Sequence, residues 1–418
     1  MLLFPGVAAL SVFTYAVSVA GAQVIAADLV VGVLLLVWGL SRMRGRITAP
    51  GRQVIIPLAA LVLVCIVTLP VSPNVRFGVT KTIQRAEFLL FVFVVIALLR
   101  DRRLIRRTVD AYIYACIVLA VVTLFFAATK GIQRGGATDI LFYNKNGIAS
   151  FLCMALPLVV ARILFKSSPH VIRWGFVALV IAGALLVTGS RGGWIGAVIA
   201  LGVLTGLKNR TALLRYILVA GVLVAVLNSL LPDDLTRSSQ FNTSHLVGSK
   251  ATLATGGTVL SREILWGDAF GLIAAHPLLG VGVGGYLTFH TYQGDSYDFN
   301  TDDPHNAILY FWAELGTVGL IVFIWLIVAI FRTAAAARRA TRGNPEYWIA
   351  TGCLSALASY LIFTLTEPIW IRGDGLAFFL LVGICANLAC GAVSRSRDDV
   401  TAGLSATTPL LSSHEAPR

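Results

Sequence analysis

Charged side chains are scarce in this chain. Asp, Glu, Lys and Arg make up 13% of its 418 residues, against about 25% in a soluble globular domain. That shortage excludes an ordinary water-soluble protein of this length. Cysteine is also sparse: Cys65, Cys116, Cys153, Cys353, Cys385 and Cys390 all sit in apolar runs and form no C-x-x-C pair, which argues against both a metal site and a disulfide framework. There is no P-loop, no H-E-x-x-H and no G-x-S-x-G elbow, so phosphate-loop, zinc-hydrolase and serine-hydrolase chemistry have no motif to rest on. The start, Met1-Leu2-Leu3-Phe4-Pro5, has no basic n-region, so a retained first helix is expected rather than a cleaved signal.

What the chain does contain is apolar sequence, 57% hydrophobic overall. It is arranged in about twelve runs, each near the roughly 20 residues that span a bilayer. The runs fall near 3–20, 24–40, 54–70, 84–99, 108–128, 147–165, 171–189, 192–206, 212–231, 305–331, 347–366 and 373–394. They are continuously apolar rather than alternating, and backbone groups in lipid must pair internally, so the expected fold is an all-α polytopic membrane protein. Four parts are expected: helices 1–9 over 1–231, a large polar loop domain with short helices over 232–304, helices 10–12 over 305–394, and a disordered tail over 395–418.

The net charge of +13 does not imply nucleic acid here, because basic residues anchor cytoplasmic loops. Clusters at Arg42–Arg46, Arg100–Arg107, Lys208–Arg215 and Arg332–Arg342 fall on alternate loops, which puts both termini in the cytoplasm. Arg191 and Arg372 break that pattern, since they stand in very short loops on the opposite side.

Ionisable residues in a membrane protein gather where charge is bound or chemistry is done. Thr188-Gly189-Ser190-Arg191-Gly192-Gly193-Trp194 makes a tight reversal between two apolar stretches, with Arg191 either an interfacial anchor or a grip for phosphate. Ser261-Arg262-Glu263-Ile264-Leu265-Trp266 opens a helix expected over 261–275, where Arg262 either pairs with a nearby loop carboxylate or joins Arg191. His276-Pro277 looks like a structural turn, and the glycine-rich run that follows is too short to span.

The last constellation is Asp302-Asp303-Pro304-His305-Asn306, then Glu314-Leu315-Gly316. His305 opens a helix, where the positive dipole end favours neutral imidazole, the state a general base needs. Asp302 or Asp303 either orients the ring or caps the helix. Glu314 falls inside the membrane level and needs a partner there, whether for packing or for function. Lys81 and Arg85 share one helical face near the outer end of the fourth helix with Arg76 nearby, and Arg134, Lys145 and Arg372 extend a possible basic rim.

The order of Ser190-Arg191-Gly192-Gly193, Arg262 through Trp266, His276 through Gly282, a large loop, His305-Asn306 and Glu314-Leu315-Gly316 resembles the bacterial O-antigen ligase family, within the wider ligase and polymerase superfamily. The resemblance implies a glycosyltransferase C-type fold in the bacterial inner membrane, its site facing the periplasm. It implies inverting transfer of a glycan from undecaprenyl pyrophosphate to a sugar hydroxyl of lipid A-core, with no metal and no cofactor. Arg191, Arg262, Lys81 and Arg85 would hold the pyrophosphate. His305 would be the base or would position the acceptor, supported by Asp303, Asn306 and Glu314. A polymerase joining two lipid-linked units would use the same donor. A polyprenyl-glycan transporter is the alternative from another class, but transporters place their charges near the midplane.

Overall fold

The computed structural model describes residues 3–12, 16–19, 22–40, 49–130, 145–166, 170–230, 258–286, 304–367, 370 and 372–390. Asp302, Asp303, Arg134, most of the expected loop domain and the tail lie outside the described residues.

The apolar runs are helices. They are α1 Leu3–Leu10, α2 Ala26–Leu40, α3 Ala49–Thr68, α4 Val75–Leu98, α5 Arg102–Lys130, α6 Lys145–Phe165, α7 Val171–Val187, α8 Arg191–Lys208 and α9 Arg210–Leu230. Then follow α10 Thr258–Ala275, α11 Ala307–Ala340, α12 Tyr347–Phe363 and α13 Arg372–Ala389. Among the described residues, four stretches, Gly51–Val71, Arg102–Thr129, Lys145–Phe165 and Ala307–Ala340, are long and apolar enough to cross a bilayer. One run differs from expectation: α1 ends at Leu10, and Ala16–Val19 pairs with Ala22–Ile25 as a short antiparallel hairpin. Hydrophobicity alone does not distinguish a buried helix from a short apolar strand pair.

Helix α12 packs against α6 and α8, and α11 packs against α3 and α13. Polar contacts cluster at the two ends of this bundle. At one end Glu346 binds Arg102 and Arg106 at 3.3 and 2.9 Å, and Arg162 pairs with Asp110 while stacking 4.0 Å over the Trp174 ring. Arg338 there donates to the Leu207 carbonyl. The opposite end carries the starts of α6, α8 and α11.

The glycine-rich run after α10 is neither a span nor a surface loop. Residues 280–286 are buried, inserted between the start of α4 and helix α11. Val281 N–H donates to the Ala313 carbonyl at 3.0 Å, and Thr317 N–H donates to the Pro277 carbonyl at 2.9 Å. This insertion opens a break in α11 at Gly316, whose φ of 64° lies where L side chains are strained. A methyl group there would also collide with the Leu278 backbone. Gly316→Val is therefore expected to destabilise the protein by about 1–3 kcal/mol or more, read as a lowered thermal unfolding temperature in detergent.

Candidate functional site

Five separate parts of the chain converge at the end opposite the Glu346 arginines. Arg262, in the second turn of α10, reaches across to the turn after α12. Its Nη2 donates to the Thr366 carbonyl at 2.7 Å and to Glu367 Oε1 at 3.2 Å. The other oxygen of Glu367 lies 3.8 Å from His305 Nδ1. Lys145, at the start of α6, interacts electrostatically with Glu367, Arg191 and Arg262, and Asn146 hydrogen-bonds to the Glu367 carboxylate. Arg191 opens α8 and lies close enough to Arg262 for their charges to repel. Two cations and an imidazole thus face one carboxylate, with Arg191 as a third cation beside them.

Local geometry holds each piece. His305 has φ of 50°, a conformation that costs a non-glycine residue about 1–3 kcal/mol and persists only under constraint. The constraint is visible on both sides: the Trp266 indole N–H donates to the Pro304 carbonyl at 3.0 Å, and Ala307 N–H donates to the Thr364 carbonyl at 2.9 Å. Asn306, not an aspartate, is the N-cap of α11, its side chain accepting from the N–H groups of Ile308 and Leu309. Arg191 can sit beside the Glu367 turn because Gly192 has no side chain; a methyl there would overlap the Thr366 hydroxyl. Beneath the turn, Trp370 packs among Phe311, Phe323, Phe378 and Phe379. Its N–H donates to the Tyr360 hydroxyl, which in turn donates to Asp374.

Burial pushes the Glu367 carboxyl up from 4.5 to about 7, against the pull of Arg262, then Lys145 and the Asn146 hydrogen bond. The folded protein therefore binds this proton more tightly than the unfolded chain does. Its contribution to stability is complete below about pH 4.5 and is lost as pH rises through about 7. The thermal stability of the wild type is expected to fall as pH rises across that window, and Glu367→Gln is expected to flatten the slope.

Arg85 lies elsewhere. It is buried within the bundle, with Nη2 3.2 Å from the Tyr310 hydroxyl and 3.8 Å from Glu314 Oε2, and Nη1 3.6 Å from Cys65 Sγ. Glu314 thus has the partner that its depth requires. Lys81 lies 5.0 Å from the Phe77 ring centroid and acts on Glu314 electrostatically. Arg76 is exposed, and His276 turns the chain at the end of α10. The structure therefore brings Arg191, Arg262, His305 and Lys145 together, and sets Arg85 and Glu314 in a second cluster one to two turns along α11. Glu367 was not singled out from the sequence. The available signal was a lone carboxylate in Thr366-Glu367-Pro368, between apolar helices where an unneeded charge is costly.

The molecule is a polytopic helical membrane protein in which Arg191, Arg262 and Lys145 gather beside Glu367 and His305. Residues 176–324 match a family model described as O-antigen ligase. An O-antigen ligase of Salmonella typhimurium is 27% identical over 350 residues, which is 78% of this chain and 82% of that protein. An uncharacterized protein of Haemophilus influenzae is 23% identical over 251 residues, 57% of this chain and 63% of that protein. A chain from the solved structure titled "Structural coordination of polymerization and crosslinking by a peptidoglycan synthase complex" is similar with a TM-score of 0.48 and 15% identity, over 80% of this chain and 96% of that one. The matched segment contains Arg191, Arg262, His305 and Glu314 but stops before Glu367.

Proposed function

We propose that this protein is a membrane glycosyltransferase that moves a glycan from undecaprenyl pyrophosphate to a sugar hydroxyl of lipid A-core. The observation that carries the reading is the ring of Arg191, Arg262 and Lys145 beside His305. A diphosphate gains negative charge as it leaves, and preplaced cations stabilise charge where it grows. Arginine grips phosphate oxygens with paired N–H donors.

The reaction would begin with the acceptor oxygen attacking the anomeric carbon as its O–H bond breaks. The proton passes to Nε2 of His305, the ring nitrogen on the far side from Glu367. The new O–C bond forms while the bond from that carbon to the diphosphate oxygen breaks. The electron pair stays on the diphosphate, where Arg191, Arg262 and Lys145 hold it. Attack from the opposite side of the ring gives inversion. Lys81 would line the donor's approach, while Arg85, committed to Glu314, would hold α11 in register.

Orientation follows from charge. The opposite end of the bundle carries Arg102, Arg106, Arg162, Lys166, Arg338 and Arg339, the residue types that mark cytoplasmic ends. That charge asymmetry supports a seat at the periplasmic face of an inner membrane. Polyprenyl and acyl tails would remain in lipid while their head groups meet at this seat.

Purified protein in liposomes, given lipid-linked glycan and lipid A-core in excess EDTA, is expected to form the joined product at the rate seen without chelator. Product only when lipid-linked glycan is the sole substrate would make it a polymerase. No product under either condition would defeat the proposal.

A further inference from the structure

The site contains a carboxylate that the transfer reaction, as written above, does not use. Glu367 is nearly enclosed, its side chain 10% exposed, and it faces groups from every neighbouring element. These are Arg262 on α10, His305 before α11, and Lys145 and Asn146 on α6, with Arg191 on α8 behind them. Oε1 binds the arginine, while Oε2 lies 3.8 Å from His305 Nδ1, a buried ring nitrogen. A carboxylate that only neutralised Arg262 would have no reason to turn its second oxygen toward His305. His305 is also held in a strained backbone conformation beside this turn.

We infer that Glu367 is a positioning residue: its carboxylate holds the Nδ1–H tautomer of His305 in place, so that Nε2 faces the acceptor hydroxyl, and it steadies the imidazolium once the proton has arrived. This rests on the proposed transfer reaction. The physical basis is general. A carboxylate on one ring nitrogen fixes which nitrogen carries the proton and raises the basicity of the other. The carboxyl's raised affinity for protons leaves it partly ionised near neutrality, so its anionic form is available where the base must work.

The test is a double-mutant cycle in the liposome assay. Wild-type protein must first transfer glycan; if it does not, the proposed function fails and this inference is not reached. Given an active wild type, E367Q is expected to lower kcat about tenfold to a hundredfold, the scale on which groups that orient an imidazole act, with little change in donor KM. Its acid limb is expected to move to lower pH, because loss of a neighbouring negative charge lowers the imidazole pKa. E367D keeps the charge and is expected to fall between the two in kcat, with the acid limb where the wild type has it. In an H305A background, E367Q is expected to cost nothing further, since a residue that acts through another loses its effect when that other is gone.

An E367Q enzyme with wild-type kcat and pH profile would overturn the inference. So would a change confined to donor KM, or an E367Q loss that adds in full to that of H305A. Thermal unfolding in detergent monitors folding. Should E367Q fail to fold, the cycle is run with E367D, and its additivity with H305A decides in the same way.

Discussion

His305→Ala is expected to lower the rate of glycan transfer by about 10²–10⁴-fold, the contribution typical of a positioned general base. Donor KM should stay near the wild-type value, because in the proposed reaction the cations rather than the imidazole hold the diphosphate. The prediction is specific about direction: kcat falls and KM does not rise. The variant should fold. The Trp266-to-Pro304 and Ala307-to-Thr364 hydrogen bonds that shape this segment are made to or from backbone atoms, and Asn306 still caps α11. His305→Gly removes the imidazole and also relieves the positive φ, so it separates strain from chemistry. Initial rates with labelled lipid-linked glycan decide the matter. A His305→Ala protein that transfers at near-normal rate would remove this residue from the reaction.

The second large effect is expected at Arg262. Arg262→Ala should cost about 10²–10³-fold in kcat, as loss of one preorganised donor to developing charge does elsewhere. It should also raise donor KM, because in the proposed reaction this guanidinium meets the diphosphate before and during bond breaking. Stability should fall as well: Glu367 would lose its closest cation, and a buried charge stripped of its partner is costly. Arg262→Lys keeps the charge but not the forked geometry. It is expected to recover stability better than rate, since one ammonium cannot both donate to Thr366 and pair with Glu367 and the diphosphate as a planar fork can. Unfolding temperature and kcat measured on the same preparations separate the two losses. An Arg262→Ala enzyme with unchanged KM and kcat would place the diphosphate elsewhere.

The helices were legible in composition. Continuous apolar runs leave the backbone no partner but itself, so Lys145–Phe165 or Tyr347–Phe363 needs no tertiary information to become helical. The motif order also pointed to Arg191, Arg262 and His305 as one group, although they are far apart in the chain. Arg85 shows the limit of local reasoning. Its spacing from Lys81 suggested a shared outer face, yet its guanidinium turns inward to Glu314 and Tyr310 on α11. The spacing of α4 cannot reveal which helix packs against it. The insertion of residues 280–286 beside the break at Gly316 was hidden for the same reason, since the space for that segment is made by α4 and α11 together.

Composition and charge alone were enough for the class of molecule: a bundle of apolar helices, basic at one end, with its few other ionisable groups held in reserve for a purpose. Hydrophobic periodicity and the cost of bare backbone in lipid act locally, so the linear chain carries them. The partnership of Glu367 with Arg262 and His305 belongs to three-dimensional packing instead. It exists because the turn after α12 is carried to the start of α11 by helix packing and by the Ala307-to-Thr364 hydrogen bond. Electrostatic contact depends on distance through space, and nothing in the neighbourhood of residue 367 along the chain records that distance.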